Sequence, residues 1–183
     1  LLRAGVLGES ALKRMTGFMA LVVCTGNTCR SPMGEALLKK QLASQLGCSI
    51  DELESHGVTI ASAGIAAAAG SPPSLQSVEV MSRLGLDISG YRSQPVTDQL
   101  IRSADVILTL TANHKRAIVS RWPDAVSRTH TIRLDGRDIS DPIGMPVDVY
   151  QNCAEQMDEH LRGWVEKLAP EIDFQERADG DEN

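Results

Sequence analysis

Apolar positions along this chain fall into two rhythms. Met19-Ala20-Leu21-Val22-Val23 and Ala104-Asp105-Val106-Ile107-Leu108-Thr109-Leu110 are short, nearly unbroken apolar runs. Runs of that length read as strands, and their uniform apolarity suits strands covered on both faces. His56-Gly57-Val58-Thr59-Ile60-Ala61-Ser62 and Thr129 to Leu134 read as two more. The other rhythm is helical. Met33, Leu37, Leu38, Leu42 and Leu46 make a stripe that Gly47 ends. Leu75 to Leu84, Thr97 to Arg102 and Ala112 to Arg121 read as helices, with Thr97 as an N-cap and Pro123 as a stop. Ala154, Met157, Leu161, Trp164 and Leu168 alternate at spacings of three and four, so the last helix is the clearest, with Met157 and Trp164 as core residues.

Strands that alternate with helices predict an α/β fold in three layers. It is a four-stranded parallel sheet with helices on both faces, in a flavodoxin-like arrangement. Ligands in such sheets sit beyond the carboxyl ends of the strands. A chain of 183 residues is expected to form one domain with a real core. Aromatic residues make up only 3%, too few for the stacking platforms that bind single-stranded nucleic acid. The net charge of −6 is concentrated in residues 171–183, where six acids face only Arg177. The near-neutral remainder argues against a nucleic-acid partner. The acidic stretch is expected to be a disordered tail, after a domain spanning 19–170. No stretch reaches the ~20 apolar residues of a membrane span.

Cys24, Cys29, Cys48 and Cys153 show neither paired metal spacing nor the density of a disulfide scaffold, so a reducing, cytoplasmic setting is expected. Residues 1–18 form an extension before the first strand. Lys13-Arg14 and the apolar residues up to Cys24 have the outline of a signal peptide, but the run is short and Val23 is not the small residue a cleavage site wants. A short surface helix over Ser10 to Met15 is the other local reading.

Chemistry concentrates in Cys24-Thr25-Gly26-Asn27-Thr28-Cys29-Arg30-Ser31-Pro32, between the first strand and the first helix. A loop that closes at a helix N-terminus aims several backbone N–H groups at one spot, with the positive end of the helix dipole behind them. Arg30 adds a planar, charged fork that matches two phosphate oxygens. The same field favours the thiolate of Cys24, its reactive form. Gly26 and Asn27 are expected to supply unusual backbone angles. A nucleophile inside an anion cradle points to attack on phosphorus. That reaction is faster when an acid opposite the nucleophile protonates the leaving group. Asp141 is the candidate, in the loop after the fourth strand, with Pro142 restricting its backbone. Asp138 and Asp148 read as solvated loop or helix-start residues. His114 receives no role and reads as a surface residue of its helix.

The nine-residue loop, placed after the first strand, resembles the active-site loop of the low-molecular-weight protein phosphatases. The resemblance implies their fold, and a reaction through a cysteinyl-phosphate with no metal or cofactor. Cys24 would attack, and Arg30 with the loop residues Thr25, Gly26, Asn27, Thr28, Cys29 and Ser31 would bind the phosphoryl group. Asp141 would protonate the leaving group and later activate water. Ser31 would hydrogen-bond the Cys24 sulfur. The family also implies that Cys29 can trap oxidised Cys24 as a disulfide, although Cys29 equally suits a small packing residue. Ser62, in Ser62-Ala63-Gly64, resembles the family serine that supports the loop, and reads as well as a turn serine. Many relatives carry a histidine near Gln76 that holds the loop asparagine, a task left here to the Gln76 amide. Phosphorylated proteins are the implied substrates.

Thr28 and the whole nine-residue loop match the protein-arginine phosphatases, whereas tyrosine-specific relatives commonly have an aliphatic at that position. Tyrosine-specific eukaryotic relatives also place two aromatics after Asp-Pro, where this chain has Ile143 and Gly144. A phenyl ring would find little to stack on. Both features favour phosphoarginine, with phosphotyrosine as the alternative. Ile143 also departs from the Phe that arginine relatives often keep. Thioredoxin-coupled arsenate reductases share the loop, but they relay a disulfide through further thiols, for which only Cys48 and Cys153 stand in this chain. Residues 1–18 also resemble the tail of a threonylcarbamoyl-adenylate synthase domain, which would make the chain part of a fusion.

Overall fold

The structure, a computed structural model, describes residues 17–180, with side chains up to Ile172. The expectations for residues 1–16 therefore lie outside the described residues. Among the latter are four strands: β1 (Phe18–Cys24), β2 (Val58–Gly64), β3 (Val106–Thr109) and β4 (Thr129–Thr131). They are all parallel, in the order β2-β1-β3-β4. Five α-helices accompany them: α1 (Arg30–Leu46), α2 (Leu75–Arg83), α3 (Asp98–Ser103), α4 (Ala112–Arg121) and α5 (Val147–Gly180).

The alternation along β1 explains the three layers. Ala20 and Val22 face a cluster that holds Met33, Leu37 and Leu42 of α1, Met81 of α2, and Met157 and Leu161 of α5. Leu21 and Val23 face the opposite cluster, with Ile101 of α3 and Ile118 of α4. Each such side chain, fully buried, contributes about 1.5–3 kcal/mol of transfer free energy. Trp164 belongs to this core, and its Nε1–H donates to Ile132 O at 2.8 Å, so its one polar atom is satisfied. The caps follow the sequence. Gly47 ends α1 in left-handed geometry at φ 73°. Thr97 caps α3 by accepting Leu100 N–H, and Thr111 caps α4 by accepting His114 N–H.

α5 continues through Pro170 to Gly180. Proline removes one helical hydrogen bond and crowds the preceding turn, at a cost of about 3 kcal/mol. Leu168, Ala169 and Ile172 flank it and are buried against the core, which offsets that cost.

Because the strands run parallel, their carboxyl ends collect at one edge. Cys24, Gly64 and Thr109 end β1, β2 and β3 there. The chain leaves β1 toward β2 on one side and reaches β3 on the other. That reversal opens a crevice at the end of β1, where the nine-residue loop lies.

Candidate active site

Cys24 is the last residue of β1 and Arg30 the first of α1. The residues between them curl around the sulfur. Cys24 O accepts Ile65 N–H at 3.0 Å, Thr25 O accepts Ala66 N–H at 2.9 Å, and Thr28 O accepts Ser74 N–H at 2.8 Å. With these carbonyls tied to neighbouring segments, amides are left to turn inward. Asn27 N–H does so, 3.2 Å from Cys24 Sγ.

The left-handed residue is Asn27, at φ 55°, and not Gly26. A Cβ at Gly26 would meet only Thr28 Oγ1, at 3.7 Å. Gly64 is the glycine the loop cannot do without. A Cβ there would lie 2.5 Å from Thr25 O and 3.0 Å from Asn27 N, so the end of β2 packs directly beneath the loop.

Asn27 is fully buried, and every hydrogen-bond position of its side chain is filled. Its Nδ2 donates to Ser31 Oγ at 2.8 Å and to Ser62 Oγ at 3.0 Å. Its Oδ1 accepts Tyr91 O–H at 2.6 Å and Gln94 N–H at 2.8 Å. Ser62 O–H in turn donates to the Glu35 carboxylate at 2.7 Å. Leaving any of these buried groups unpaired would cost about 1–3 kcal/mol, so the network holds Asn27 in its strained conformation. Burial pushes the Tyr91 hydroxyl up to about 12, which keeps it a donor. Gln76 does not take the expected place beside Asn27; Tyr91 and Gln94 fill it.

Ser31 Oγ lies 2.9 Å from Cys24 Sγ. It already accepts from Asn27, so its own proton is free to point at the sulfur. Arg30 is buried, with Nη1 donating to Ile139 O at 3.0 Å and Nη2 on the Asp141 carboxylate. Asp141 Oδ1 accepts Ile143 N–H at 3.2 Å. The structure thus brings Cys24, Arg30, Ser31 and Asp141 to one mouth. Asp138 lies apart, capping the start of α4 by accepting Ala112 N–H at 2.7 Å.

Three further residues at the loop carry signals that sequence reasoning passed over. Tyr91 and Tyr150 are the only tyrosines of the chain, and both end on the loop. Tyr150 Oη lies 3.4 Å from Cys29 Sγ. His114 is buried rather than at the surface, with Nε2 at 2.9 Å from Thr25 Oγ1. Burial, and then the Arg30 charge, push its pKa down to about 4, so the imidazole is neutral. The available signal was its spacing of four from Ile118, which puts both on one helix face. Cys153 is buried, with Sγ 3.9 Å from Ser140 O, and burial pushes its thiol up to about 12. Such a thiol is poorly suited to relaying a disulfide.

The chain matches the family described as low molecular weight phosphotyrosine protein phosphatase over residues 19–173. It is 37% identical over 160 residues to the protein-arginine-phosphatase of Geobacillus stearothermophilus, covering 84% of this chain and 98% of that protein. It is 35% identical over 149 residues to the probable low molecular weight protein-tyrosine-phosphatase EpsP of Ralstonia nicotianae, covering 81% of this chain and 94% of that protein. Among solved structures, it aligns at a TM-score of 0.72 and 30% identity with a cysteine-to-serine mutant of the YwlE arginine phosphatase that carries a phosphorylated active-site serine, over 82% of this chain and 95% of that one. By the span matched and by the identity to its members, the chain belongs to the low molecular weight protein phosphatases, cysteine-dependent enzymes that act on phosphorylated arginine or tyrosine.

Proposed function

We propose that this chain hydrolyses phosphoarginine in proteins through a phosphorylated Cys24. The Cys24 sulfur attacks phosphorus; an S–P bond forms as the P–N bond breaks. Asp141 gives its proton to the departing guanidine nitrogen. Backbone N–H groups from Thr25 to Ser31 and the Arg30 fork stabilise the phosphoryl oxygens, an effect worth about 2.7–4 kcal/mol per well-placed donor in comparable sites. Water then attacks phosphorus, its proton passes to Asp141, and the S–P bond breaks. Ser31 O–H and Asn27 N–H stabilise the thiolate that leaves. The reaction needs a reduced Cys24, which a reducing, cytoplasmic setting would supply. No helix among the described residues is long and apolar enough to cross a membrane.

The observation that carries the choice of arginine is Thr28. It sits half-buried in the loop, its one side-chain polar contact among the described residues a 3.7 Å approach to Cys29 Sγ, so the hydroxyl remains available to a polar leaving group. An aliphatic there would instead offer a wall to a phenyl ring. Phosphotyrosine is the second reading, because Ile143 beside Asp141 is 66% exposed and gives a ring one apolar surface. Side-by-side kinetics on phosphoarginine and phosphotyrosine peptides separate the two. The expected result is a preference for phosphoarginine that Thr28→Ile erodes by about tenfold. Equal or faster turnover of phosphotyrosine by the unmodified chain would reverse the assignment.

A further inference from the structure

His114 is a buried polar side chain at the loop to which the phosphoryl transfer gives no part. It is 4% exposed, its Nε2 is 2.9 Å from Thr25 Oγ1, and its Nδ1 is buried with no hydrogen-bond partner among the described residues. Thr25 directly follows Cys24 and, unlike it, is exposed. The backbone holds the imidazole in place. Thr111 Oγ1 accepts His114 N–H at 3.1 Å, and Ile118, one turn on, is anchored in the core.

The two ring nitrogens decide the tautomer. A proton on Nδ1 would be a buried donor without an acceptor, which costs about 1–3 kcal/mol. A bare Nδ1 leaves only a lone pair unmet, a milder and commoner situation. The proton therefore belongs on Nε2, which donates to Thr25 Oγ1. The threonine hydroxyl must then aim its own proton elsewhere, and Thr25 is exposed beside Cys24.

We propose that His114 is a positioning residue for phosphate transfer: it fixes the Thr25 hydroxyl as a hydrogen-bond donor that meets the phosphoryl group at the mouth of the Cys24 loop. The charged groups around the ring suit that task. The Arg30 charge disfavours a protonated ring, and Asp138 and Asp141, both from the loop after β4, work against it without overcoming burial. A neutral imidazole orients the hydroxyl without adding a second cation that would compete with Arg30 for the phosphoryl oxygens. The inference rests on the family's chemistry alone and is independent of which amino acid carries the phosphate.

The test is a double-variant cycle on the full chain, with phosphoarginine and phosphotyrosine peptides as parallel substrates. Thr25→Val keeps the shape and deletes the hydroxyl. His114→Met deletes the donor. His114→Gln keeps an amide N–H close to the position of Nε2. Thr25→Val and His114→Met should each lower kcat/KM by about tenfold and weaken inhibition by inorganic phosphate by a similar factor. The double variant should fall no further, and His114→Gln should stay within about threefold of the parent. Thr25→Val takes the acceptor from His114 Nε2–H and should cost about 1–3 kcal/mol of stability, so the kinetics are run well below its melting temperature. Losses that multiply in the double variant would overturn the proposal. So would a Thr25→Val protein with unchanged kcat/KM and unchanged phosphate inhibition. Should His114→Met not fold, Thr25→Val and His114→Gln still decide the matter.

Discussion

The Arg30 guanidinium rests against the Asp141 carboxylate, across the mouth of the Cys24 loop. The two partners are unequal. Arg30 is 4% exposed and tethered to Ile139 O, while Asp141 is 43% exposed on a loop. The carboxylate is therefore the mobile member. A phosphoryl group offers the fork two oxygens at once and displaces a single carboxylate oxygen readily. Substrate binding would thus take Arg30 and release Asp141 toward the leaving group, so one event assembles both halves of the chemistry.

Asp141→Asn separates these two duties. The amide cannot donate a carboxylic proton, so kcat should fall by about 10²–10⁴-fold. The amide is also a poorer rival for Arg30, so inorganic phosphate should inhibit the variant more tightly than the parent. Steady-state kinetics with phosphate as inhibitor reads both. Weaker phosphate inhibition would mean that Asp141 serves to hold Arg30 rather than to compete with substrate.

Ser31→Ala removes the hydroxyl 2.9 Å from the Cys24 sulfur and one acceptor of Asn27 Nδ2. The departing thiolate loses a charge-assisted hydrogen bond, worth about 1.5–3 kcal/mol. Dephosphorylation should then lag behind phosphorylation by Cys24. Rapid-mixing experiments should show a burst of leaving group close to one equivalent, followed by a steady rate lower by about 10–100-fold. A slow linear release without a burst would place the hydroxyl's role in the first step instead.

Tyr91→Phe tests the support beneath the loop. Without its hydroxyl, Asn27 Oδ1 keeps only Gln94 N–H, and a buried acceptor is half met. Stability should drop by about 1–2 kcal/mol in urea melts. The loop would hold its left-handed residue less firmly, so kcat/KM should fall by about tenfold with phosphate inhibition weakened in step. A variant destabilised to this degree but fully active would show that Asn27 holds its geometry without Tyr91.

The place of the nine-residue loop was legible because its residues are contiguous, running from the end of β1 into the start of α1. The position of Asp141 beside Arg30 follows from topology, since parallel strands deliver their following loops to one edge. The residues that hold the loop were not legible, because they arrive from 64 to 89 positions away along the chain. Tyr91 and Gln94 sit in an irregular segment with no periodicity to betray which side chains turn inward. His114 lies on a helix whose buried face amounts to itself and Ile118, too little for a stripe.

His114 gives the fold a measurable acid dependence. Its pKa is depressed from 6.5 to about 4, first by burial and then by Arg30. The unfolded chain therefore takes up this proton at a higher pH than the folded one. Stability from the group is complete above pH 6.5 and is lost as pH falls through 4. The loss is at most about 3 kcal/mol, and less to the extent that solvent screens the ring. His130 shifts in the same direction, so the comparison must be between the parent and His114→Gln. Glutamine cannot titrate, and His130 is common to both proteins. Thermal melts from pH 7 to pH 4 should show the parent losing several degrees more than the variant, since about 1 kcal/mol corresponds to 2–4 °C in a domain of this size. Parallel curves would mean that the folded state accepts the proton as easily as the unfolded one, and that the imidazole is not held neutral beneath the loop.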